Sequence, residues 1–128
     1  MSYVERAYPE SGKSAAAIDP YLFLVYDSSG NLAVNTTAQG SIVGVSAEGV
    51  DAANRAIPFW PLGGGGKVKV KCAASVTAGG KVASDANGKA IAWVDAVGNN
   101  AVGIFVTDGA NNDIVTIELF AADVGGGS

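Results

Sequence analysis

The chain has 128 residues, enough for one domain with a buried core and too few for two comfortable ones. Histidine is absent and cysteine occurs once, which removes the common zinc sites, the Ser-His and Cys-His nucleophile pairs and any disulfide within the chain. A net charge of −4 argues against nonspecific nucleic-acid binding, and no apolar run approaches the roughly 20 residues of a membrane span.

Eighteen glycines and a charged fraction of only 16% point to strands and turns over helices. In chain order, residues 1–20 read as an extended N-terminal arm. They carry charges and prolines where a secretion signal would be apolar, so none is expected. Ser14-Ala15-Ala16-Ala17 is at most one helical turn, stopped by Pro20. The body then opens at Tyr21–Tyr26, an apolar run of strand length ended by a turn at Asp27–Asn31. Leu32-Ala33-Val34 is the return strand, Ser41–Ser46 a strand centred on Gly44, and Glu48–Asn54 a loop. Arg55–Leu62 is a strand interrupted by Pro58 and Pro61, and Gly63–Gly66 a flexible joint. Lys67–Cys72 alternates cleanly, three lysines on one face and Val68, Val70 and Cys72 on the other, so Cys72 is expected to be buried. Lys81–Ser84, Ala90–Val94, Ala101–Val106 and Ile114–Phe120 complete eight or nine strands, and residues 121–128 form a flexible tail.

The body is written twice. Asp27–Asn31 returns 58 positions later as Asp85–Lys89, Ile42–Val45 returns 59 positions later as Ala101–Ile104, and Ala56–Leu62 lies 58 positions before Ile114–Phe120. Two copies are too few for a solenoid. The expected fold is all-β: a small β-barrel or sandwich of two pseudo-twofold related halves, quasi-repeats 17–62 and 75–120, within one domain at 21–120. In the repeat register Ile57, Phe59 and Pro61 align with Val115, Ile117 and Leu119 as the inward set. Trp60 aligns with Glu118 and should point outward, either as a contact residue or as a cover over a local core.

No motif assembles a catalytic, cofactor or metal site. Ala7–Ser14 fits a relaxed phosphate-loop pattern but lacks room for a preceding strand, and Pro20 truncates any following helix. Asp27, Asp85, Asp108 and Asp113 each sit in a turn, where a carboxylate accepts local backbone hydrogen bonds. Asn35-Thr36-Thr37 fits a glycosylation sequon. Lys67, Lys69 and Lys71 make either a solvated edge strand or a basic stripe for an acidic partner surface.

The ordered set of these motifs resembles the bacteriophage capsid cement, or head decoration, proteins. It consists of Val76–Val82 leading into Asp85-Ala86-Asn87-Gly88-Lys89-Ala90, then Ala101–Phe105, then Asp113–Leu119, with Tyr26–Leu32 and Ile42–Val45 in the first half. The likeness covers residues 18–120. Gly80, the proline-flanked Trp60 and the arm depart from the family pattern. The resemblance implies a structural protein rather than an enzyme. It implies binding to the major capsid protein on the outer surface of the expanded head, as a homotrimer, in a virion assembled in the host cytoplasm. Neither nucleic acid nor membrane is an expected partner. The expected capsid or subunit contacts are Tyr3, Val4 and Tyr8 in the arm, Trp60, and Lys67, Lys69 and Lys71. A carbohydrate-binding or adhesion module displayed on a virion is the alternative, through Trp60, Trp93, Tyr3 and Tyr8.

Overall fold

The computed structural model describes residues 10–62 and 66–124, with side chains at 12–62 and 66–119. The first half contributes β1 (Glu10–Lys13), β2 (Phe23–Tyr26), β3 (Leu32–Val34), β4 (Gly44–Ser46) and β5 (Ala56–Pro61). The second contributes β6 (Gly66–Lys71), β7 (Lys81–Ser84), β8 (Ala90–Ala92), β9 (Asn100–Phe105) and β10 (Ile114–Val124). They form two five-stranded antiparallel sheets, ordered β1-β5-β4-β2-β3 and β6-β10-β9-β7-β8. The second order is the first shifted by five strands, so the repeat in sequence is a repeat of topology. The two sheets stay separate, which makes the all-β fold sandwich-like and not a closed barrel.

The repeat reaches further toward the N-terminus than the sequence indicated. Ser14 bridges Leu32 as Cys72 bridges Ala90, and Ile18 bridges Val50 as Val76 bridges Gly109. The Ser14 N–H donates to the Arg55 carbonyl at 2.9 Å, and the Cys72 N–H to the Asp113 carbonyl at 2.8 Å. Residues 10–18 are therefore built into the first half, where an arm was expected through residue 20. The reason is chemical: Glu10-Ser11-Gly12-Lys13 joins β5 through main-chain pairing and carries no apolar alternation to announce a strand. Gly12 also leaves room for Leu32, whose Cδ1 would lie 2.5 Å from a Cβ there. Tyr3, Val4 and Tyr8 lie outside the described residues, as do residues 63–65 and 125–128, while β10 runs on to Val124 through ladder pairing with β9 where a tail was expected from residue 121.

The inward set is largely as the register predicts. Ile57, Phe59, Val115, Ile117 and Leu119 are buried, while Pro61 is half-buried. Val68, Val70 and Cys72 are buried, and Lys67 and Lys69 are exposed on the other face of β6. The two hairpin turns match atom for atom. Asp27 Oδ1 accepts the Ser29 and Asn31 N–H groups at 2.9 Å, and Asp85 Oδ1 accepts those of Asn87 and Lys89 at 2.8 Å. Gly44 and Gly103 mark equivalent close approaches: a Cβ at either would run into the carbonyl oxygen of the adjacent strand, that of Trp60 or Glu118.

The halves share a fold, but their contact is not twofold. In the first half, register places Phe23 beside Val45 and Val45 beside Trp60 across one face. Phe23, Ile42 and Val45 are buried in the core of the second half, with Val25, Trp60 and Leu62 packed against it. Ile18, Leu24, Leu32, Ile57 and Phe59 form a separate core inside the first half. The equivalent row of the second half is Lys81, Ile104 and Glu118, and all three are exposed. A twofold contact would bury both rows.

Candidate functional site

That exposed row belongs to the broad outer face of the second sheet. β6 sets Lys67 opposite Glu118, Lys69 opposite Thr116 and Lys71 opposite Ile114 on β10. Ile104, Val106 and Ile114 add exposed apolar surface, Ile104 at 40%. Four lysines and one glutamate over an apolar patch make this face locally basic in an acidic chain. Period-two alternation builds it: each lysine of β6 points away from the core that Val68 and Val70 enter.

Of the sequence-predicted contact residues, Lys67, Lys69 and Lys71 are thus brought together. Trp60 is not beside them. It points out of its own sheet, as the register predicts, but that face packs against the second half and the indole is half-buried. Ile104 and Lys81 were not singled out from sequence. Ile104 sits in a continuous apolar run, and only its alignment with Val45 would have signalled an outward position.

The covered row shows how such a face is occupied. The Asp85–Lys89 turn of the second half seats on the first half, with the Phe23 N–H donating to the Gly88 carbonyl at 2.7 Å. Asn35, only 2% exposed, donates through Nδ2 to the Ser84 hydroxyl at 2.8 Å and the Asp85 carbonyl at 3.1 Å. Gln39 donates its N–H to the Ser84 carbonyl at 2.6 Å and accepts the Asn100 N–H at 2.9 Å. Lys71 donates its N–H to the Tyr21 carbonyl at 2.9 Å. The sequon asparagine is therefore a buried link between halves, with its amide nitrogen already used.

The equivalent positions of the other half are open. Trp93 stands where Asn35 stands, as matching hydrogen bonds show: Asn35 N–H to Phe23 O at 3.0 Å and Trp93 N–H to Lys81 O at 3.0 Å. The Lys81 ammonium lies 4.9 Å from the Trp93 ring centroid. The Trp93 indole Nε1 is buried and lacks a hydrogen-bond partner among the described residues. In the turn of the first half, a Cβ on Gly30 would meet nothing within 4 Å, whereas one on Gly88 would press on Val34, Phe23 and Leu22. Tyr26, beside the open turn, is 53% exposed, and its counterpart Ser84 is 0% exposed.

Among the described residues no group of three His, Cys, Asp or Glu side chains converges on a metal position. No helix among them is long and apolar enough to cross a membrane. A shallow depression bordered by Ile18, Val50, Asp51 and Arg55 holds only a solvent-exposed Arg55–Asp51 ion pair at 4.0 Å. Cys72 is buried, and desolvation, with a smaller push from the Asp113 carboxylate, raises its thiol pKa above the ordinary value.

No protein-family profile matches the chain, and no curated protein sequence matches it. Among solved structures it is similar to the head fiber gp8.5 N base of bacteriophage phi29, with 14% identity and a TM-score of 0.70. The match covers 88% of this chain and 93% of that one. At that identity the likeness is one of fold.

Proposed function

We propose that the protein is a structural component of a phage head, and specifically a decoration or cement protein. It binds the major capsid protein on the outer surface of the expanded head, as a homotrimer, and stabilises the shell against the pressure of the packaged DNA. The observation that carries this reading is the fold shared over most of both chains with a phage head fiber base. The ordered turn-and-strand motifs support it from the sequence side. The part of the outer face formed by β6 and β10, with Lys67, Lys69, Lys71 and Ile114, supplies the docking surface. Basic side chains there orient the approach to an acidic shell, and apolar area nearby provides adhesion once water is displaced. Many identical contacts on one shell strengthen each other. The carbohydrate-binding alternative draws no support from the indoles: Trp60 packs between the halves and Trp93 is capped on one face by Lys81.

Co-sedimentation with unexpanded and expanded shells of the cognate phage tests this. Saturable binding to expanded shells alone is expected, at a fixed ratio to the shell protein. Reversing Lys67, Lys69 and Lys71 to glutamate should weaken it by about tenfold or more. Binding to neither shell would overturn the reading. A chain lacking residues 1–9 tests the arm without cutting β1.

A further inference from the structure

We infer that the outer face around Lys81, Trp93 and Ile104 receives the Tyr26–Asn31 turn of a second copy of this chain, so that copies join head to tail in a ring. The inference is independent of shell binding, and it deepens the homotrimer part of the proposed function by naming the contact between copies. It rests on the chain's own interior, where the same two surfaces are already joined once. There, the Ser84–Lys89 turn of one half occupies the Phe23–Asn35–Val45 face of the other. Each half has both surfaces, but each uses only one. The first half keeps an open turn, and the second half keeps an open face.

Two details fit an occupant of this kind. The aromatic group changes sides: inside the chain Phe23 is on the receiving face and Ser84 beside the turn, while at the open ends Lys81 is on the face and Tyr26 beside the turn. Bulk lost from the face is supplied by the turn. Finally, the open turn carries Asp27 and the open face carries Lys81 and the neighbouring lysines of β6, so their charges are complementary. A contact between non-equivalent surfaces has no internal twofold. It must either close into a ring or propagate as a fibre.

The test uses the full chain and its mass in solution, by light scattering after size exclusion and by sedimentation equilibrium. The unmodified chain should form one discrete species of three or more copies. Ile104→Glu spoils only the face and Tyr26→Glu only the turn, both at exposed positions. Each variant alone should run as a monomer with an unchanged circular dichroism spectrum and melting curve. Mixed in equal amounts at the highest soluble concentration, they retain one intact pair of surfaces. The mixture should then run at twice the monomer mass. A monomeric unmodified chain would overturn the inference, as would a twofold dimer or a mixture that stays monomeric. Shell binding by a strictly monomeric chain would sink the ring and the homotrimer and leave docking on the shell standing.

Discussion

Gly30 and Gly88 occupy the same position in two copies of one turn, with φ of 81° and 76°. Both need the left-handed region, so alanine at either should cost about 1–2 kcal/mol from backbone strain. Only Gly88 is also pressed by neighbours, with Val34 Cγ1 2.7 Å and the Phe23 carbonyl oxygen 3.0 Å from the place a Cβ would take. Urea denaturation of Gly88→Ala should therefore show a loss larger by a further ~1–3 kcal/mol than that of Gly30→Ala. Equal losses would mean that the second turn is not seated on the first half. Asn35 makes a companion case. Asn35→Ala removes the donor to Ser84 and Asp85, of which only the Asp85 carbonyl keeps a second donor, the Ser84 hydroxyl, so the same measurement should report a loss of about 2–3 kcal/mol.

Among the elements, β1 and β6 are equivalents with different visibility. β6 announces itself by alternating lysine and valine, whereas β1 is polar and short and is held by its ladder to β5. Chains lacking residues 1–9 and residues 1–13 isolate the part played by β1. Removing 1–13 should lower the melting temperature by several degrees below that of the 1–9 deletion, since β5 then loses its pairing partner. Cys72, just past β6, offers a pH test. Burial keeps its thiol neutral and raises the folded pKa above the ordinary value of 9.0. The unfolded chain therefore releases its proton first as pH rises. The stability tied to the neutral thiol is fully present below the unfolded pKa and falls as pH climbs toward the folded one. Denaturation midpoints should decline above about pH 9 in the unmodified chain and decline less in Cys72→Ala. A thiol reagent should likewise react with Cys72 only after unfolding.

At the scale of the whole molecule, the two halves show one surface pair used and one open. If the basic outer face docks on an acidic shell, added salt should weaken shell binding steeply. It should weaken the contact between copies less, since exposed Ile104 and Tyr26 add apolar area to its complementary charges. Sedimentation of shells and of protein alone, across the same salt series, separates the two.

Much of this was legible in advance. The doubled turn of Asp27 and Asp85, the repeated strand centred on Gly44 and again on Gly103, the inward Ile57, Phe59, Val115 and Ile117, and the outward lysines of β6 all follow from local rules. Turn chemistry needs specific residues at specific φ, and a strand's faces alternate with period two. Those rules act over a few residues, so the sequence by itself determined most of the strands, though not β1, and the turns, the repeat and the inward set of β5, β6 and β10. It did not determine which outward face meets the other half. Trp60 and Glu118 stand at equivalent outward positions, yet one is packed into a core and the other is exposed. Nor did it reveal that Gln39 and Asn35 join the halves, since their partners across that contact lie 45 or more positions away in the chain. Only the tertiary structure decided these points. The packing of one half on another is a choice among several compatible surfaces, and it is set by the summed fit of side chains far apart in sequence.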